Sequence, residues 1–368
     1  MDPPPQPLAA PVRIQVLPEG PVLLARGEDR SLLRARWEAG RWTAWRDVGV
    51  SDPSFGHAAD PTLVSQSLVT GLAVSEDLGA SFRRIGGLPP SADHGLDEPA
   101  RAGVQVPPAR DGLRVAACIA SRSDTPEPLW LRTSADLGIT WGRPVRVPGI
   151  WSRDRGAFSE RQLAAAVIGD RIVVAGLVQD QRDLVLTVAE ATATAGAIAW
   201  RGPPRQLRIA DRPWAALLLW ADDRGATVVL GYNGLEVVPV AEGQPLTLRR
   251  IVVPGHRVPD VDLMRLATGA LAIAWSDDRH GSRMGLPLPL PISRPQSDHE
   301  DVHVGILSAD GTLRTIQAST TGGHAHAPVL GHLDGQAVVL WAEHPLRESR
   351  NVTGSRGAAT AIRMRPLD

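Results

Sequence analysis

The chain has 368 residues, and its 39 basic and 40 acidic side chains leave a net charge of −1. That balance excludes a nucleic-acid binder relying on a global basic field, and a 43% hydrophobic content excludes a disordered chain. A single cysteine, Cys118, excludes an intrachain disulfide and a cysteine-built zinc site, and no apolar run reaches the ~18 residues of a membrane span.

All 39 basic residues are arginine. Two asparagines, one tyrosine and three phenylalanines stand against 11 tryptophans, a skew that matches GC-rich bacterial coding. Without lysine there is no Schiff-base amine and no P-loop lysine. No cofactor is expected. The 36 glycines and 32 prolines favour many turns over long helices.

In chain order, residues 1–11 form a proline-rich polar segment that begins Met1-Asp-Pro-Pro-Pro. It lacks the charged and apolar regions of a signal peptide. The compartment stays open between cytoplasmic and a mature exported or surface-tethered form, with the prolines as a stiff spacer. From residue 12 onward, short runs rich in Val, Ile, Leu, Thr and Trp alternate with turn residues, the pattern of strands. No amphipathic helix of three turns is evident. A four-strand unit can be written seven times: 12–50, 51–89, about 104–149, 162–207, 214–253, 261–318 and 328–368. The second unit is compressed, so six units is the alternative count. The seventh is one strand short, and the N-terminal segment is a candidate to complete it. Units of ~53 residues suit four-stranded propeller blades. The expected fold is all-β, a single-domain β-propeller over 12–368. Cys118, in the apolar run 115–120, reads as a buried structural thiol.

The units carry a repeated motif. Ser75-Glu-Asp77-Leu-Gly79-Ala-Ser81-Phe82 matches Ser134-Ala-Asp136-Leu-Gly138-Ile-Thr140-Trp141. A shorter copy is Ser308-Ala-Asp310-Gly311-Thr312, and worn copies lie at Trp37–Trp42 and Thr192–Gly196. The physics is that of a hairpin turn. Asp accepts backbone hydrogen bonds across the turn, Gly supplies a positive φ, and the aromatic packs beneath. The motif folds a loop and does no chemistry.

This pattern resembles the Asp-box, or BNR, repeat of sialidase-like β-propellers. The opening Arg13-Ile14 with Leu17-Pro-Glu-Gly20 resembles a sialidase opening, although Gln15 stands where the family has proline. Ala274-Trp275-Ser-Asp-Asp-Arg279 and Leu340-Trp341-Ala-Glu-His344 resemble strand ends of such propellers, while the similar Trp220-Ala-Asp-Asp-Arg224 falls on a different strand. The resemblance implies three arginines for a substrate carboxylate, a Tyr–Glu nucleophile pair and an Asp acid/base. Arg13 alone matches the first arginine. The one tyrosine, Tyr232, lies in a strand end or turn and reads as a packing residue, with Glu236 near it in sequence.

In a propeller the segments joining one blade to the next converge on one face, and here they are polar. Arginine forks suit carboxylates and sulfates, and tryptophan faces suit sugars or cations. The expected ligand-binding residues are Arg101, Arg155, Arg212, Arg257, His326, Trp151 and Trp214. Catalytic candidates are Tyr232, Glu236, Asp97, Asp154 and Asp260, since paired carboxylates with separated pKa values do acid/base work.

His299-Glu300-Asp301-Val302-His303 fits the zinc-protease pattern His-Glu-x-x-His. That chemistry needs a helix, and the segment reads as a strand, on which positions four apart lie ~13 Å apart. No metal site is expected. The proline-rich stretch 283–297 is an insertion between two strands. The expected function is a non-catalytic recognition propeller that binds a carbohydrate, an anionic ligand or a protein partner at the mouth of the ring. The alternatives are a sialidase-like glycoside hydrolase and a structural subunit of a cell-surface assembly. Nucleic acid is not among the expected partners.

Overall fold

The computed structural model describes residues 8–17, 20–27, 31–38, 41–51, 54–55, 63–67, 71–75, 83–84, 104–105, 115–120, 127–134, 140, 142–152, 163–168, 170–180, 183–194, 197–209, 216–222, 225–258, 260–277, 300–319, 324–344 and 361–367. Every regular element among them is a β-strand. The strands form seven sheets that follow one another along the chain.

The first sheet holds β1 (Leu8–Leu17), β2 (Gly20–Gly27) and β3 (Ser31–Glu38), with β4 (Arg41–Trp42) and β5 (Arg46–Ser51) both pairing with β3. The second holds β6 (Ser54–Phe55), β7 (Leu63–Ser67), β8 (Gly71–Ser75) and β9 (Arg83–Arg84). The third holds β10 (Val104–Gln105), β11 (Val115–Ala120), β12 (Glu127–Ser134) and β13 (Val145–Ser152). In the fourth, β14 (Leu163–Ile168), β15 (Arg171–Asp180) and β16 (Asp183–Thr194) run in order, and β17 (Ala197–Trp200) and β18 (Arg205–Ile209) share β16. The fifth has β19 (Ala216–Asp222), β20 (Gly225–Val240) and β21 (Arg249–Val258). The sixth has β22 (Val261–Arg265), β23 (Leu271–Asp277), β24 (Asp301–Leu307) and β25 (Leu313–Gln317). The seventh has β26 (His324–Leu333), β27 (Gln336–His344) and β28 (Ala361–Pro366).

The chain divides into two compact units, Met1–Asp52 with Val253–Asp368, and Pro53–Val252. Within each, cores lie between successive sheets. In the second unit, Leu129, Leu131 and Ile150 pack against Leu163, Ile172 and Val174, and Val173 and Leu186 pack against Leu217, Leu219 and Val228. In the first unit, Ala272, Ala274, Val302 and Val304 meet Leu330, Val339 and Trp341, and Leu33 joins Val329, Leu333 and Leu340. Strands between two such cores are apolar on both faces, and β23 is buried throughout. Outer strands alternate, as β17 does. Close approach at one point requires glycine: a Cβ on Gly176 of β15 would sit 2.7 Å from Ile150 of β13.

The motif copies occupy one topological position. Ser75 ends β8 and Ser134 ends β12, each the third strand of its sheet. The copy at Ser308–Thr312 joins β24 to β25, and the worn copies join β3 to β4 and β16 to β17, again third strand to fourth. The shorter copy shows the bonding. Asp310 accepts from the Thr312 amide (2.8 Å) and hydroxyl (3.0 Å). The Gly311 amide donates to Ser308 (3.0 Å), and Gly311 holds a φ of 90°. Asp77, Gly79, Phe82, Asp136, Gly138 and Trp141 lie outside the described residues.

Strand β1 pairs with β2, whereas residues 1–7, most of the segment expected to complete the seventh sheet, lie outside the described residues. Among the described residues the fifth sheet has three strands instead of four, with β20 running through Gly234 at a φ of 104°. Trp220 lies on the first strand of its sheet, whereas Trp275 and Trp341 lie on second strands.

Candidate functional site

One end of the sixth sheet gathers buried polar groups. Asp260 immediately precedes β22, Asp277 ends β23, Glu300 precedes and Asp301 opens β24, and Ser319 follows β25. Of these, Asp277 and Ser319 are fully buried, and Glu300 and Asp301 are each 3% exposed. Each strand's apolar run stops at this end, where the connections from β23 to β24 and from the sixth sheet to the seventh begin.

Asp277 lies directly opposite Asp301 across β23 and β24. Two facing carboxylates repel unless each has donors of its own, and here each does. The Trp275 indole nitrogen donates to Asp277 Oδ2 at 2.7 Å. His303 stacks on Trp275, ring centroids 5.6 Å apart, with its Nε2 3.6 Å from Asp277 Oδ1. The Ser319 hydroxyl donates to Asp301 Oδ1 (3.0 Å) and accepts from the Val302 amide (2.9 Å). Asp260 accepts from the Ser276 amide through its carbonyl (3.1 Å) and from the Ser276 hydroxyl through its carboxylate (3.4 Å). Bonds tie this sheet to the next, among them the Ala325 amide to the Glu300 carbonyl (2.9 Å) and the Leu330 amide to Asp262 Oδ2 (2.8 Å). The seventh sheet repeats the theme at Glu343, which accepts from Arg363 Nε at 3.1 Å.

Carboxylates held by indole, hydroxyl and amide donors are stabilised where they sit. The arrangement makes a stiff strand end from which segments 278–299 and 320–323 depart. Among the described residues, no group of three or more His, Cys, Asp or Glu side chains is placed to hold a metal ion. His303 lies on a strand and Glu300 just before it, so the His-Glu-x-x-His pattern is not helical.

Other expected site residues fall as follows. Glu236, in β20, is 1% exposed and pairs with Arg250 Nε of β21 at 3.2 Å. Tyr232 lies on β20 and Arg257 on β21; only their backbones are among the described residues. His326 is 1% exposed on β26, opposite Ala342. Trp151, near the end of β13, is half-buried against the core below it. Asp97, Asp154, Arg101, Arg155, Arg212 and Trp214 lie outside the described residues.

Sequence reasoning missed Asp277, Asp301 and Ser319. The signal was the acid at each tip of a run otherwise apolar on both faces, Trp275-Ser-Asp277 and Asp301-Val-His303.

No family model matches the chain, and no curated protein matches it in sequence. Solved structures do match. BBS1N, solved in complex with ARL6DN, is similar with a TM-score of 0.52 at 12% identity over 94% of each chain. Streptogramin B lyase is similar at 0.50 and 11% identity over 92% of each chain. The WD40 repeats of RRP9 are similar at 0.50 and 11% identity, over 100% of this chain and 99% of that one. At such identities the likeness speaks for fold alone: the chain has an all-β fold of the β-propeller type.

Proposed function

We propose that the chain is a non-catalytic recognition propeller that binds a protein partner, a carbohydrate or an anionic ligand through its sheet-joining segments. In this reading the seven sheets are blades of the Asp-box type. One observation carries it. The buried acids of the sixth sheet are bonded to their own scaffold, Asp277 by Trp275 and Asp301 by Ser319, which suits holding loops rather than moving protons. The likeness to BBS1N, solved in complex with ARL6DN, supports a protein partner. Arg101, Arg155, Arg212, Arg257 and Trp214 would contact the ligand, as planar forks and an aromatic face. Trp151 and His326 would hold the segments behind them.

The competing reading, a sialidase-like hydrolase, draws on the two facing carboxylates Asp277 and Asp301. Incubation with an array of sialylated, uronic and sulfated glycans separates the two, scoring both retained protein and released sugar. Retention without release, weakened by Arg101→Ala or Arg155→Ala, supports recognition of an anionic sugar. Release overturns the non-catalytic reading. Neither outcome on the array narrows the ligand to a protein.

A further inference from the structure

The turn that joins β26 to β27 sets the register of the seventh sheet. Asp334 and Gly335 hold φ values of 49° and 78°, the two left-handed residues of a tight hairpin. Pairing then runs from Leu333 opposite Gln336 to Val329 opposite Leu340. Between Val329 and His326 the ladder shifts by one residue, at Ala327-Pro328. In the unshifted register His344 would face Ala325. The shift places His344 opposite His324, and Ala342 opposite His326. Bulges of this kind re-aim side chains and are frequent beside functional sites.

The bonding pattern gives the spacing. The Ala325 amide donates to the Glu300 carbonyl of the neighbouring sheet, away from β27. The Leu367 amide donates to the Ala337 carbonyl, so the odd-numbered residues of β27 bond toward β28. Bonded pairs alternate along an antiparallel ladder. His324 and His344 are therefore a bonded pair, with Cα atoms about 5.5 Å apart. His326 stands two residues along the same strand, about 7 Å from His324. All three positions lie on the face of the sheet that carries Val338, Leu340 and Ala342. His326 is 1% exposed. Of His324 and His344 only the backbones are among the described residues.

We propose that His324, His326 and His344 form a Zn2+ site at this end of the seventh sheet. Two histidines two apart on one strand, with a third directly across from the first, bring three imidazoles within reach of one ion. Three protein ligands and a water make an open tetrahedral zinc site. Imidazole donors select Zn2+ over Mg2+ and Ca2+, which take oxygen ligands. Each ligating ring keeps its second nitrogen for a hydrogen-bond partner. Among the described residues no three such groups are placed to hold a metal; this group draws on two histidines whose side chains lie beyond them. It is separate from the His-Glu-x-x-His pattern, whose His303 belongs to the sixth sheet. Sequence spacing hides it, because His344 comes from the next strand.

The test uses the full chain, freed of metal by a chelator and titrated with ZnCl2 in a calorimeter. One equivalent binds with micromolar or tighter affinity, and millimolar Mg2+ does not compete. His324→Ala and His344→Ala each weaken binding roughly tenfold or more, while His332→Ala, further along β26, leaves it unchanged. Co2+ in place of Zn2+ gives the intense visible absorption of a four-coordinate ion, and His344→Ala abolishes it. Absence of a one-equivalent site, the weak spectrum of six-coordinate Co2+, or undiminished affinity in either alanine variant would overturn the proposal. Should an alanine variant fail to fold, His344→Gln, which keeps a polar side chain on the strand, is expected to lose the Co2+ band, and a retained band would overturn the proposal.

Discussion

The Trp275 indole donates to Asp277 two residues further along β23, at 2.7 Å, and both side chains are buried. The seventh sheet places Trp341 and Glu343 at the matching positions of β27, but there the carboxylate goes to Arg363. Glutamate's extra methylene carries its oxygens past the ring and toward β28. The buried Trp341 Nε1 then has no acceptor among the described residues. Trp275→Phe and Trp341→Phe remove similar volumes, so their difference isolates the hydrogen bond. Trp275→Phe is expected to cost ~1–2 kcal/mol more in urea denaturation, the worth of a bond to a charged acceptor. Equal losses would show that the indole bond contributes nothing.

Ser319 and Asp301 are eighteen residues apart in sequence and close the far side of the same strand end. Ser319→Ala strips a donor from a buried carboxylate and an acceptor from the Val302 amide. The expected loss is ~1–3 kcal/mol. In a double-mutant cycle with Asp301→Ala, the coupling is expected at ~0.5–3 kcal/mol. Additive losses would mean the hydroxyl serves the amide alone.

The turn at Ser308–Thr312 tests what the repeated motif is for. Gly311→Ala forces a side chain into a φ of 90° and is expected to cost ~1 kcal/mol. Asp310→Ala loses both bonds to Thr312 and is expected to cost ~1 kcal/mol as well. Neither change should alter ligand binding, because the turn joins β24 to β25 at the opposite end from Asp277. A binding loss with an unchanged melting curve would place the motif in recognition.

Arg205 clasps the fourth sheet to the fifth. It donates to the Ala241 carbonyl at 2.7 Å, to the Gln244 carbonyl and to Glu190. Arg171 also reaches Glu190, at 3.4 Å, and Arg201 reaches Glu242 at 2.9 Å. Lysine presents one point charge where arginine presents a planar fork. Arg205→Lys should therefore accelerate hydrogen exchange across residues 241–248 several-fold, while the β15–β16 ladder stays protected. Unchanged exchange in that turn would argue that its own bonds hold it.

The strand-rich character and the hairpin turn at Ser308–Thr312 were legible because they depend on neighbours along the chain. Alternation in an outer strand such as β17, and the Asp-Gly turn at Asp310-Gly311, are signals a few residues long. Trp220 was separable from Trp275 and Trp341 for the same reason, since its run opens a unit instead of following the unit's first strand. The candidate site was less legible. Asp260 and His326 were picked as segment residues; Asp260 lies in the segment just before β22, and His326 lies near the start of β26. The partner of Glu236 is Arg250, fourteen residues on and on another strand.

The sequence by itself determined which stretches extend and where they turn, because φ preferences and alternating polarity act over a few residues. Only the tertiary structure decided which side chains meet. That Asp277 faces Asp301, that Ser319 returns to cap it, and that β1 joins β2 all follow from strand register. Register is set by the packing of whole apolar faces between sheets, and a buried carboxylate finds its donors only after those faces have closed.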